Sequence, residues 1–211
     1  MNKKLFVFLP FLLFLVGTFT ACDEVDEPGK YDNWQKRNDT FVDSLKALKP
    51  TVIPDNNSEG AVDKAFAGIS NGTLFAIKVP RASKQNDTQY IYCKKIVSNT
   101  DGDRPVYTQY INAYYYGTLI TGDRFDGNFI GYSALDKTFT GEKNPTAFDS
   151  FTQFRVMIGL AGWTEALQYM RQGERWMLYI PYQSGYGTSA SGSIPGYSML
   201  TFDVILKEVI K

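Results

Sequence analysis

Between Gly159 and Phe202 the chain sets aromatic and aliphatic residues against short turns, with few ionisable groups among them. The run opens Gly159-Leu160-Ala161-Gly162-Trp163-Thr164-Glu165-Ala166-Leu167 and leads to a strand ending Leu178-Tyr179-Ile180-Pro181. Gly185-Tyr186-Gly187, Ile194-Pro195 and Leu200-Thr201-Phe202-Asp203-Val204 follow. This pattern predicts one apolar pocket with the Trp163 ring as its floor. A site of that kind handles a bound group by shape and desolvation, not by proton transfer.

Composition narrows the chemistry further. The 211 residues suffice for one ordinary domain plus attachments. Aromatic content is 15%, mostly from 14 Tyr and 15 Phe, which favours a β-rich fold. The 22 basic and 22 acidic residues balance, and no basic block offers a footprint for nucleic acid. The count of His is 0. That removes the commonest general base and metal ligand, and it excludes a Ser-His-Asp triad and a His-based zinc site.

Residues 1–22 have the layout of a signal peptide. Lys3 and Lys4 precede an apolar run from Leu5 to Val16, broken only by Pro10 and too short for a comfortable membrane span. The ending Thr20-Ala21-Cys22 resembles a bacterial lipobox, with Phe19 where Leu is usual. The resemblance implies lipidation of Cys22 and a place in the bacterial cell envelope, periplasmic or surface-facing; an ordinary cleaved signal with an incidental Cys is the alternative. Residues 23–30 are an acidic, flexible tether.

Residues 31–49 predict a helix, with Tyr31, Trp34, Phe41, Leu45 and Leu48 as its stripe, Asn38 interrupting it and Pro50 ending it. It packs on the domain's own flank or receives a partner. A turn-rich linker follows, with one short helix around Ala61–Ala67. Strands are predicted over Leu74–Val79 and Tyr90–Val97. Cys93 falls in the second and has no partner once Cys22 is lipidated, so a buried, inert thiol is expected.

Pro105 to Ile120 is the longest β stretch, with Tyr107, Ile111, Ala113 and Tyr115 on one face. A turn then delivers Phe125 and Asp126 side by side. Residues 127–150 are an irregular excursion that covers the pocket mouth or changes the substrate. Phe151–Ile158 returns to strand, Trp163–Gln172 is a short helix stopped at Gly173, and the last strand carries Leu200, Phe202, Val204 and Leu206 on one face.

The stretch Tyr115-Tyr116-Gly117-Thr118-Leu119-Ile120-Thr121-Gly122-Asp123-Arg124-Phe125-Asp126 resembles the signature of the FKBP-type peptidyl-prolyl isomerases. Gly162-Trp163-Thr164-Glu165-Ala166-Leu167 resembles that family's helix. Ile180-Pro181, Tyr186-Gly187, Ile194-Pro195 and Leu200 to Val204 match the rest in order. The resemblance covers about residues 105–210 and implies an α+β fold, an antiparallel sheet wrapped around one short helix, here with an N-terminal helical extension over residues 31–100 and the isomerase domain over 101–211.

It also implies roles. Trp163 is the floor, Tyr115, Phe125, Leu160 and Phe202 are walls, and Asp126 orients Tyr115. Tyr186 and Ile194 stand at the rim, and the Tyr186 hydroxyl and the Leu160 amide meet substrate carbonyls. No cofactor or metal is implied. Three departures stand out: Gly127-Asn128 follows Phe125-Asp126 where Ser-Ser is common, residues 127–150 are longer than the family's usual connection, and the position before Leu160 differs. Gly159 replaces a usual aliphatic residue, which predicts a looser wall. The family's remaining pocket Phe falls on Phe148, Phe151 or Phe154.

Two functions follow from this resemblance. One is a membrane-anchored prolyl isomerase acting on exported, proline-containing polypeptides. The other is a catalytically weak chaperone or binding module of the same fold. No dimerisation device is evident, so the soluble part is expected to be a monomer.

Overall fold

The computed structural model describes residues 29–80 and 88–211. The signal segment, Cys22 and the first part of the tether lie outside the described residues. An eight-stranded sheet organises the rest: β1 (Thr51–Val52), β2 (Leu74–Val79), β3 (Gln89–Val97), β4 (Tyr110–Thr118), β5 (Arg124–Gly127), β6 (Thr152–Arg155), β7 (Arg175–Ile180) and β8 (Leu200–Ile210). Its order is β1-β2-β3-β7-β8-β4-β5, with β6 on the same edge of β4 as β5. Every pairing is antiparallel except the short β1–β2 contact. Among the described residues three α-helices accompany the sheet: α1 (Trp34–Ala47), α2 (Glu59–Ala67) and α3 (Ala161–Tyr169). The sheet runs across position 100, because β3 pairs directly with β7, and Asn33–Lys211 form one compact unit.

The two-residue period of the strands sorts their side chains onto two faces. Phe75, Ile77, Cys93, Trp176, Leu178 and Val204 face α2 and α3 in the main core. Burial pushes the Cys93 thiol well above its ordinary pKa. Ala76, Tyr92, Met177 and Tyr179 face the other way, against Val42 and Leu45 of α1 and against Tyr132 and Phe139 of the 127–150 excursion. Antiparallel sheets commonly leave one face in water. Here both are covered, and all six residues of β7 are buried.

The excursion is therefore fastened to the outer face, and none of residues 127–150 lines the Trp163 pocket. This corrects the expectation that it covers the pocket mouth. Its anchor is a buried ion pair. Arg175 Nε donates to Asp203 Oδ1 at 2.8 Å, and the Tyr132 amide donates to Asp203 Oδ2 at 2.8 Å. Arg175 Nη2 also donates to the Lys143 carbonyl at 2.7 Å, and the guanidinium lies 4.8 Å from the Tyr132 ring centre. A charge pair out of water holds only when its remaining hydrogen-bonding groups are satisfied, and the excursion supplies those groups.

Helix α1 forms where the sequence predicts it, but its buried face is Trp34, Asn38, Val42 and Leu45. Asn38 belongs to the stripe because its amide is satisfied on both sides. Nδ2 donates to the Trp34 carbonyl at 2.8 Å, and Oδ1 accepts from the Met199 amide at 2.8 Å. Leu48, at the far end of the predicted stripe, is exposed. Helix α3 starts two residues earlier than predicted and ends at Tyr169, because Met170 takes an extended conformation. Gly173, with φ of 87°, forms the turn into β7 instead of the helix stop.

Candidate active site

The long apolar strands β4 and β8 carry the pocket. Tyr115 pairs with Val204 and Gly117 with Phe202, so Tyr115 and Phe202 lie on the inner face one pair apart. On the far edge of β4 the register slips between Gly117 and Thr118 as it meets β5. Such a bulge re-aims side chains. It lets the neighbours Phe125 and Asp126 both serve the inner face, one packing on Phe202 and the other reaching Tyr115. Gly117 is required beneath them: a Cβ there would stand 2.8 Å from the rings of both Phe125 and Phe202. The Tyr-x-Gly spacing of the sequence is thus a packing requirement.

Trp163 closes the cup from α3. Its ring centre lies 4.8 Å from Phe202, 5.8 Å from Tyr115 and 5.8 Å from Phe154, with the Phe202 and Tyr115 rings edge-on. The cleft above it measures about 460 Å³ and is lined by these rings together with Asp126, Arg155, Ile158, Gly159, Leu160 and Tyr186. Clefts of about 500 and 520 Å³ elsewhere are ringed by Arg104, Arg171 and Lys211 or by Asp55, Lys78 and Glu165, walls that suit water better than an apolar ligand.

The polar edge of the cup is one pair. Tyr115 Oη donates to Asp126 Oδ1 at 3.2 Å, and the same oxygen accepts the Gly127 amide at 2.7 Å. Burial, then the Asp126 charge, pushes the Tyr115 pKa up to about 12. The hydroxyl therefore stays protonated and acts as a fixed donor, not as an acid or base.

The residues singled out from sequence separate into two sets. Tyr115, Asp126, Leu160, Trp163, Tyr186 and Phe202 come together around the cleft. Phe125 stands behind Phe202 with ring centres 5.3 Å apart, supporting the wall without lining it. Ile194 is buried in the core beneath the β7–β8 connection, where it bridges to Ser191, and is not among the lining residues.

Sequence reasoning left Phe154 open and missed Arg155 and Ile158. Register resolves the first. Phe154 of β6 pairs with Ile111 of β4 and so shares the inner face with Tyr115. Phe148 is 98% exposed, and Phe151 packs against Tyr114 on the outer side. Gly159 does not leave a gap: a Cβ there would fall within the envelope of Trp163 Cδ1, so the indole occupies the space a side chain would take.

Comparison with known proteins identifies the family. The model of the FKBP-type peptidyl-prolyl cis-trans isomerase family matches residues 102–207. The chain is 50% identical over 76 residues to the macrophage infectivity potentiator of Trypanosoma cruzi, covering 32% of this chain and 39% of that protein. It is 32% identical over 117 residues to the FKBP-type 22 kDa peptidyl-prolyl cis-trans isomerase of Escherichia coli, covering 55% and 48%. With FK506-binding protein 2 of Dictyostelium discoideum it shares 31% identity over 145 residues, 67% of this chain and 88% of that one. The chain thus spans less than half the length of the first two relatives. From the region the family model matches and the Dictyostelium relative covered over 88% of its length, the chain belongs to the FKBP-type peptidyl-prolyl cis-trans isomerase family.

Proposed function

We propose that this cleft isomerises X–Pro peptide bonds in exported polypeptides. The carrying observation is the cup itself: Trp163, Tyr115, Phe154 and Phe202 enclose an apolar volume suited to a proline ring, with the Tyr115–Asp126 pair at its edge. Rotation about the X–Pro amide faces a barrier of ~18–20 kcal/mol and breaks no bond, so neither nucleophile nor metal is needed. The twisted amide has lost conjugation and its carbonyl is less polar. A dry pocket therefore disfavours the planar forms more than the transition state, and that difference is the catalysis.

In this reading Trp163 and Phe202 grip the ring, and Phe125 holds Phe202. Asp126 fixes Tyr115. The Tyr186 hydroxyl at the exposed rim and the Leu160 amide at the start of α3 meet the flanking carbonyls, while Ile194 supports the rim from below. The soluble part acts as a monomer held at the cell envelope by lipid on Cys22.

The test follows conversion of a short X–Pro peptide by the full-length chain in mild detergent. Uncatalysed conversion takes ~10–100 s, and the chain is expected to shorten it. Trp163→Ala is expected to lose most of the acceleration with its circular dichroism unchanged. A well-folded Trp163→Ala variant at the wild-type rate would refute this pocket. No acceleration by the parent chain, with binding to unfolded protein retained, would move the reading to a binding module. For the anchor, Cys22→Ser is expected to shift the protein from the membrane to the soluble fraction.

A further inference from the structure

Helix α1 lies outside the 102–207 region matched by the family model, yet its buried face reaches the connection that carries Tyr186. That connection, residues 181–199, holds one short 3-10 turn at Tyr182–Ser184 and one bridge between Ser191 and Ile194. A connection this long with little structure of its own needs outside support to hold one geometry.

Ser198 and Met199 receive the support. Trp34 Nε1 donates to Ser198 Oγ at 2.9 Å, and that hydroxyl donates to the Pro195 carbonyl at 2.6 Å. The Met199 amide donates to Asn38 Oδ1, and Asn38 is 1% exposed. On the other side of this hub, Tyr197 sits in the left-handed region at φ of 63°. Its amide donates to the Gly187 carbonyl at 2.9 Å, and its ring lies 5.1 Å from that of Tyr182. The Gly187 amide in turn donates to the Tyr182 carbonyl at 2.8 Å. A non-glycine residue stays left-handed only where its neighbours over-determine it. Here the neighbours are the two positions fastened to α1 and the residue next to Tyr186.

We propose that α1 is a positioning element for the pocket rim, acting through Trp34 and Asn38 on Ser198 and Met199, and through Tyr197 on Gly187 and Tyr186. The proposal rests on the isomerase reading only in making Tyr186 a substrate contact. A helix that merely covered the outer sheet face would act through Val42 and Leu45 and leave the rim alone.

The experiment compares Asn38→Ala and Trp34→Phe with Val42→Ala in the full-length chain. It measures kcat/KM on an X–Pro peptide well below the melting temperature and amide exchange at Gly187 and Tyr197. Asn38→Ala is expected to lower kcat/KM about fivefold, the scale of one net hydrogen bond, and to speed exchange at both amides. Val42→Ala is expected to lower the melting temperature and do neither. Tyr186→Phe should cost less in the Asn38→Ala background than in the parent, because a misplaced hydroxyl has little left to lose.

Trp34→Phe keeps an aromatic ring of smaller size and removes the N–H donor to Ser198, a second way to break the tie between α1 and the rim, so it decides the matter if Asn38→Ala does not fold. Folded variants with parental kcat/KM and parental exchange at Gly187 overturn the proposal. If the parent chain shows no isomerase activity, the functional reading fails. Exchange at Gly187 still decides whether α1 holds the rim, and unchanged exchange would overturn it.

Discussion

Placing valine at Gly159, an aliphatic residue of the kind the family usually carries there, is expected to damage the pocket instead of tightening it. A Cβ built on Gly159 falls within the envelope of Trp163 Cδ1 and lies 3.2 and 3.3 Å from Cγ and Nε1. Restoring ordinary carbon contacts of ~3.5–4.0 Å requires the indole to move by roughly 1 Å, and the valine methyls add to this. The ring has little room to give, with Phe202 at 4.8 Å and Tyr115 and Phe154 at 5.8 Å. Overpacking of this kind costs about 1–3 kcal/mol. At roughly 2–4 °C per kcal/mol for a chain of this size, the melting temperature should fall by about 2–12 °C. A catalytic floor displaced by ~1 Å can lose ~100-fold in rate. The assay is kcat/KM on an X–Pro peptide beside a thermal melt, with Gly159→Ala as the milder step. A Gly159→Val protein as stable and as active as the parent would refute the reasoning, since the indole would then have room the structure denies it.

Other outcomes follow from the same structure. Burial, with the carboxylates of Asp126 and Glu165 adding to it, pushes Tyr115 and Tyr169 from 10.0 up to about 12. Both keep a proton in the folded state that the unfolded chain releases. Their contribution to stability is therefore full below pH 10 and should be lost between 10 and 12, with a smaller loss in Tyr115→Phe, as urea titrations at pH 9 and 11 would report. Arg175→Ala leaves the Asp203 carboxylate buried and unpaired, so it should cost about 3–5 kcal/mol in urea denaturation. Phe154→Ala should slow peptide isomerisation several-fold while Phe148→Ala leaves it unchanged; equal effects would undo the assignment of Phe154 to the pocket.

What could be read from the residues was whatever depends on near neighbours. The strand at Leu74–Val79 and the two-residue alternation through Leu200 and Leu206 are local, and they appear where expected. That Tyr115, Asp126, Trp163 and Phe202 meet around one cleft was legible because they sit in motifs with fixed spacing. Phe154 was not, because choosing among three phenylalanines needs the β4–β6 register, which no local pattern reveals. Nor was the course of residues 127–150, since the attraction of Tyr132 and Lys143 to the Arg175–Asp203 pair exists only once β7 and β8 are side by side. Asn38 looked like a flaw in a stripe because its partner, the Met199 amide, is 161 positions away. Ile194 went the other way: its motif matched, but the turn it forms with Ser191 faces it into the core.

The ties from α1 also set an order of events for the growing chain. Trp34 reaches Ser198 across 164 positions and Asn38 reaches Met199 across 161. Closing so large a loop adds little to the entropic penalty, which grows only with the logarithm of length, so the finished protein loses little stability by it. Speed is another matter, because contacts between distant positions slow folding. Helix α1 is made well before β8 and waits for it, and β8 must slot between β4 and β7 before the rim has anything to lean on. A nascent chain therefore carries an open, unfinished cup until β8 emerges. A truncation that removes β8 should yield no partial activity, only a chain with both sheet halves still apart.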